Sequence, residues 1–202
     1  MLDYSFEEQY YKRGYKRICG IDEAGRGPLA GPVVAACVMF KRGTLIEGLD
    51  DSKKLSEKKR EALYEEIISK AVAYGIGICT EKEIDDLNIL NATFKAMRYA
   101  VAGLDVTPDL ALVDGNKCPK GLYFDSEAVV KGDSKSTAIA AASILAKVTR
   151  DRIMLELDKN YPQYQFAKHK GYPTALHYQM IKEHGISEVH RLSFLKNLKD
   201  HE

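Results

Sequence analysis

Two apolar, β-branched runs, Ile18–Ile21 and Val33–Phe40, stand on either side of a glycine-rich stretch. Such runs, bounded by turn residues, predict two neighbouring β-strands. The first ends abruptly on adjacent carboxylates, Asp22 and Glu23, where an apolar residue would ordinarily continue the pattern. Side chains alternate faces along a strand, so one of the pair can address a site while the other takes a different role. Taken alone, such a pair is more often a solvated strand end or a turn.

The rest of the chain fits an α/β architecture. Residues 55–74 carry Leu63, Ile67, Ile68 and Ala71 at helical spacing, with Ser56 placed as N-cap, and residues 75–79 predict a third strand. Thr80 and Glu83 have capping-box spacing, and a helix follows from about Ala92 to Leu104. Residues 110–113 are too few and too apolar for anything but a buried strand, which ends at Asp114; residues 127–130 suggest an edge strand. Residues 135–160 predict the longest helix, rich in small residues over 138–146, so that its backbone can lie close to a sheet or a docked ligand. A last helix over 174–184 and a short tail over 189–198 complete a mixed sheet with helices, expected as one domain with a helical portion from about residue 160.

Composition narrows the function classes. The chain has 202 residues, 45% of them apolar, enough for one core. Lacking a long uncharged apolar run or an apolar leader, it is expected in the cytoplasm, off the membrane and monomeric. Cys19, Cys37, Cys79 and Cys118 have no metal-binding spacing and are expected as buried thiols. The net charge is +1, yet residues 115–199 carry 14 Lys and Arg against 8 Asp and Glu, a bias suited to a phosphate backbone.

The segment Gly25-Arg26-Gly27 changes the meaning of the acids before it. Glycines leave backbone amides accessible and permit positive φ, and the arginine between them is a planar phosphate donor. A dinucleotide fingerprint is excluded, because the glycine spacing is wrong and a strand follows where a helix is needed. Asp114 is a third acid at a strand end, and Asp133 a fourth before the long helix, where an ordinary N-cap is the competing reading. Oxygen ligands alone suit Mg²⁺ or Mn²⁺, whereas zinc would want histidine or cysteine. Two such ions can activate water and stabilise the leaving oxygen of a phosphoryl displacement. Lys53, Lys54, Lys168 and Lys170 are candidates for holding phosphates. No G-x-S-x-G elbow is present. His169 and His190 remain open between a surface position and substrate contact, and Tyr172 between core packing and a face against a sugar or base.

These segments together resemble the ribonuclease HII family, the bacterial type 2 ribonuclease H. The resemblance rests on GIDEAGRGPLAGPVVAA at 20–36, DSKKLS at 51–56, LNILNAT at 87–93, LVDG at 112–115, KGDSKS at 131–136, AAASILAKVTRD at 140–151, HKGYPT at 169–174 and HRLSF at 190–194. It implies a ribonuclease H-like fold with a mixed five-stranded sheet, and Asp22, Glu23, Asp114 and Asp133 as metal ligands. It further implies that Gly25, Arg26, Gly27 and Tyr172 read a 2′-hydroxyl at an RNA–DNA step; of the candidate lysines, Lys53 is the one taken as a substrate contact. The implied activity is hydrolysis of the RNA strand of RNA/DNA hybrids and cleavage 5′ to single embedded ribonucleotides, leaving 3′-hydroxyl and 5′-phosphate ends. A sister family, ribonuclease HIII, carries a lysine in the glycine loop, so Arg26 favours HII. The chain stops soon after HRLSF, so the sliding-clamp tail of some relatives is not expected. The alternative is a catalytically silent binder of RNA/DNA hybrids.

Overall fold

The computed structural model describes residues 2, 5–49 and 55–195. Helix α1 (Ser5–Lys12) precedes the antiparallel pair β1 (Ile18–Ala24) and β2 (Val33–Phe40). Helix α2 (Glu57–Lys70) leads into β3 (Ala71–Cys79), which pairs antiparallel with β2. Helices α3 (Glu81–Leu87) and α4 (Ile89–Ala102) follow, then β4 (Leu110–Asp114), β5 (Asp125–Val129) and the long α5 (Thr137–Asn160). Strands β4 and β5 run parallel beside β1, giving a five-stranded mixed sheet in the order β3-β2-β1-β4-β5. The chain ends in short helices α6 (Phe166–His169) and α7 (Ala175–His184).

The sheet is covered on both faces. Ala36, Val38 and Phe40 of β2 pack with α2 and α5, while Val33, Ala35, Cys37 and Met39 pack with α4. Glycines set how close these layers come. A β-carbon on Gly20 would lie 2.2 Å from the backbone of Ala138 and Ile139, so α5 rests directly on β1. On the other face, β-carbons on Gly75 and Gly77 would each meet an α4 carbonyl oxygen at 2.0 Å. The alanine-rich turn Ala138–Ala146 lets α5 approach this closely, as its composition predicted.

Several boundaries differ from those expected. Helix α2 stops at Lys70, because residues 71–74 pair with β2, Ala71 opposite Phe40 and Tyr74 opposite Val38. The start of the strand was hidden because it inverts the usual pattern. Its buried residues are Ala73, Gly75, Gly77 and Cys79, while Val72, Tyr74 and Ile78 face solvent. Ser56 and the Thr80–Glu83 capping box act as expected. Helix α5 is capped by Ser136, so Asp133 is not its N-cap. Helix α1 was not anticipated. Its Glu7 is buried and accepts hydrogen bonds from Ser136 Oγ (2.7 Å) and the Ala138 amide (3.1 Å), placing a carboxylate at the positive end of α5. Cys19, Cys37 and Cys79 are buried thiols and Cys118 is partly exposed. No described helix is long and apolar enough to cross a membrane.

The C-terminal segment closes over the loop between β1 and β2 around Tyr164 and Phe166, whose rings stack at 5.4 Å between centroids. Three histidines belong to this core. His169, His177 and His190 are all buried, so His169 and His190 are neither surface residues nor substrate contacts. Their hydrogen bonds define one set of tautomers. The Ser187 amide donates to His190 Nδ1 (3.0 Å), leaving His190 Nε2–H to donate to His177 Nε2 (3.1 Å). His177 Nδ1–H then donates to the Tyr172 carbonyl (3.0 Å). In His169, Nδ1 accepts from the Gly171 amide and Nε2–H donates to the Tyr164 carbonyl. A further proton on the His177–His190 chain would set two donors against each other.

Two outcomes follow from this packing. Gly20→Ala should lower stability by about 3 kcal/mol or more, read from urea denaturation, because backbone rather than a movable side chain occupies the new atom's place. Burial holds His177 and His190 down to about 4 from an ordinary 6.5, so the unfolded chain takes up protons first as pH falls. Their contribution is complete above pH 6.5 and is lost towards pH 4, on the order of 3 kcal/mol for each ring. NMR of the imidazoles should therefore show neutral rings at about pH 5, where an exposed histidine is charged.

Candidate active site

The carboxyl end of β1 lies beside that of β4, since the two strands are parallel with Ile21 opposite Val113. The next residues, Asp22 and Asp114, consequently emerge together at one rim. They line a cleft of about 230 Å³ with Glu23, Ala24, Gly25, Arg26, Gly27, Ser143, Lys147 and Tyr172. Asp22 is 6% exposed and Glu23 partly buried. Asp133 sits half-buried in the 3-10 turn Gly132–Ser134, outside the lining. That turn reaches the site through the Gly132 amide, which donates to Asp114 Oδ1 at 2.6 Å.

The electrostatics of this rim are those of crowded anions. Burial first, then the charges of Glu23 and Asp114, hold the Asp22 carboxyl well above the usual carboxylate range. Hydrogen bonds from the Glu23 amide (2.7 Å) and Ser143 offset part of that cost. Arg26 approaches Glu23 at 3.3 Å but remains largely in solvent. Lys147 is turned to Asp151 (2.7 Å), one helical turn further along α5. Among the described residues no three His, Cys, Asp or Glu side chains close into a metal cage. The donors present are nevertheless all hard oxygen, and a cation between them would relieve the repulsion on Asp22. Such a set suits Mg²⁺ or Mn²⁺, which keeps water or phosphate oxygens in several of its positions.

The opposite wall is built from backbone and one aromatic ring. Gly25 has φ +97°, and a β-carbon there would strike Arg150 Nε at 2.1 Å, so this position requires glycine. Gly27 differs from expectation: its φ is not in the left-handed region, and a β-carbon would only approach Tyr172 Cε1 at 3.8 Å. Its lack of a side chain keeps the mouth between loop and ring open. Tyr172 is 40% exposed on the cleft, which excludes core packing. Its backbone is tied at both ends, the amide donating to His169 O (2.9 Å) and the carbonyl accepting from His177.

Sequence reasoning missed four residues here: Ser143, Lys147, Arg150 and Arg191. The first three fall on one face of α5, within a stretch that reads mainly as packing. Arg191 is fully buried, a place where charge is rarely expected. Two expected lysines are elsewhere, Lys168 bonding Gln165 (2.6 Å) and Lys170 the Ala167 carbonyl (2.6 Å), neither on the cleft. Lys53 and Lys54 lie outside the described residues.

Comparison with known proteins places this architecture. The family model for ribonuclease HII matches residues 19–197. The ribonuclease HII of Acetivibrio thermocellus is 57% identical over 95% of this chain and 75% of its own length. That of Vibrio campbellii is 59% identical over 91% of this chain and 86% of its own. Among solved structures, the ribonuclease H2 of Pyrococcus horikoshii superposes with a TM-score of 0.76 at 29% identity, covering 91% of this chain and 96% of that one. The mixed five-stranded sheet with its flanking helices is thus the ribonuclease H-like fold, and the chain belongs to the ribonuclease HII family of endonucleases.

Proposed function

We propose that this chain hydrolyses the RNA strand of RNA/DNA hybrids and cuts 5′ to ribonucleotides embedded in duplex DNA, using divalent cations held by Asp22, Glu23, Asp114 and Asp133. The observation that carries this reading is the division of one cleft into two walls. Asp22, Glu23 and Asp114 form one, and Gly25–Gly27 with Tyr172 form the other. An acidic wall alone would repel a phosphodiester. With Mg²⁺ or Mn²⁺ bound, it supplies an activated water and stabilises the charge on the departing oxygen.

The position of the cut requires a water nucleophile. On the 5′ side of a ribonucleotide the phosphorus is joined to that residue's 5′-oxygen, beyond reach of its own 2′-hydroxyl. Water therefore attacks, the P–O3′ bond breaks, and the products are a 3′-hydroxyl and a 5′-phosphate. The 2′-hydroxyl serves only as a mark, and a protein that distinguishes ribose from deoxyribose must touch it. Among the described residues, the amides of Gly25, Arg26 and Gly27 donate to nothing within the protein. They can meet an oxygen of the substrate while the Tyr172 ring covers the sugar. Lys147 stands in the cleft where a neighbouring phosphate would lie, and Lys53 is proposed to contact the substrate backbone.

Asp22→Asn and Asp114→Asn should each lower cleavage of a single-ribonucleotide duplex by about 100-fold or more in Mg²⁺ or Mn²⁺, with folding intact by circular dichroism. Near-native turnover in either variant would refute the ligand assignment, and binding without cleavage by the unmodified chain would make it a silent hybrid binder. Tyr172→Ala should reduce the preference for the ribonucleotide-containing duplex by about tenfold, with a smaller loss in affinity for duplex in general. An equal loss on every duplex would remove its sugar-reading role.

A further inference from the structure

Beneath the Gly25–Gly27 loop lie two arginines whose burial the activity does not by itself explain. Arg191 is 0% and Arg150 1% exposed, and neither forms a close ion pair among the described residues, although Glu81 acts on both and Asp85 on Arg191 from farther off. Isolated buried charge is costly unless many dipoles replace its water. Here the replacement is a cage of main-chain carbonyls. Arg191 donates to the oxygens of Gly25 (2.7 Å), Arg26 (3.2 Å), Gly31 (2.7 Å) and Pro32 (3.1 Å). Arg150 donates to Pro32 (3.0 Å), Ala30 (3.1 Å) and Lys170 (3.0 Å). Pro32 is shared, so the two guanidiniums form one unit.

The direction of these bonds has a geometric consequence. Among the described residues no peptide is cis, and in a trans peptide the C=O and the following N–H point opposite ways. Drawing the Gly25 and Arg26 carbonyls down onto Arg191 therefore turns the amides of Arg26 and Gly27 up, towards the cleft those residues line. The guanidiniums also polarise the same peptides, strengthening the outward amides as donors. Arg150 extends the frame to the other reader. It holds the Lys170 carbonyl and lies 5.8 Å from the Tyr172 ring centroid.

We infer that Arg191 and Arg150 are positioning residues for ribonucleotide discrimination, fixing the outward amides of the glycine loop and the Tyr172 segment in one rigid frame. They touch no substrate. Their effect falls on the 2′-hydroxyl-dependent part of recognition and leaves the carboxylate rim unchanged. This rests on the reading that the glycine loop and Tyr172 meet the sugar.

The test uses the full chain and its Arg191→Lys, Arg191→Gln and Arg150→Lys variants, with folding checked by melting curves. Lysine keeps the charge but cannot reproduce the forked donation. Fluorescence anisotropy in EDTA gives Kd for a duplex with one ribonucleotide and for its all-deoxy counterpart. The ratio of the two should fall by about tenfold in each folded variant, with affinity for the all-deoxy duplex changed by less than about twofold. A merely structural role would lower stability and leave the ratio intact, and a folded Arg191→Lys or Arg150→Lys with the wild-type ratio overturns the inference. NMR order parameters of the Arg26 and Gly27 amides give a reading independent of substrate. They should be those of rigid backbone in the wild type and drop in the variants; unchanged values also overturn it. If the wild type shows rigid amides yet no ribonucleotide preference, the functional reading fails while the frame stands.

Discussion

The contact on which the rest of the molecule depends is the one between β1 and α5 at Gly20. Without a side chain there, the helix backbone comes down onto the strand, and from that point the helix tracks the chain as it leaves the sheet. Its facing residues recur at helical spacing. Ser143 meets Asp22, Lys147 enters the cleft, Arg150 packs under Gly25, and Met154 fills the space beside Gly31. One helix face thus carries an alcohol for the acid, a cation for the cleft, a buried guanidinium for the loop and an apolar anchor beyond it. A wider separation at Gly20 would weaken all four at once.

The site divides its electrostatics between two neighbouring regions. At the strand ends, burial first and then the repulsion among carboxylates held together raise the Asp22 pKa and favour a cation from outside. A few residues away, guanidiniums are buried among carbonyls without a close ion pair, and the backbone they hold presents free amides. One region attracts positive charge and the other attracts substrate oxygen. Behind the second, a chain of neutral histidines fixes the Tyr172 backbone from the side away from the cleft. The polar interior is satisfied through directional bonds, which favour a single geometry over mere compactness.

Much of the site was legible in the residues. Carboxylates that interrupt an apolar strand stand out because alternation leaves them no ordinary reason to be there, and Asp22, Glu23 and Asp114 were visible on that ground. The small residues of α5 signalled close approach. Strand β3 was misplaced at its start because its inward positions are alanine and glycine, which carry no hydrophobic periodicity. For Asp133 a helix cap remained a competing reading because only the structure shows Ser136 taking that place. His169 and His190 looked exposed because an isolated imidazole gives no sign that distant backbone groups, and for His190 a second ring, will complete its hydrogen bonds.

What the sequence determined by itself were the features written in local pattern: the strands that end in acid, the glycine loop after the first of them, the capped helices and the ordered motifs that mark a ribonuclease HII. Tertiary structure decided which distant groups share a wall. Asp22 and Asp114 meet because parallel pairing brings two strand ends to one rim. Arg191 reaches Gly25 across 166 positions of chain because a C-terminal segment folds back over the loop. Spacing along the chain records strand alternation and helical turns, since those repeat every few residues. It carries no such record of a carbonyl cage or a histidine chain, whose partners become neighbours only when the layers pack.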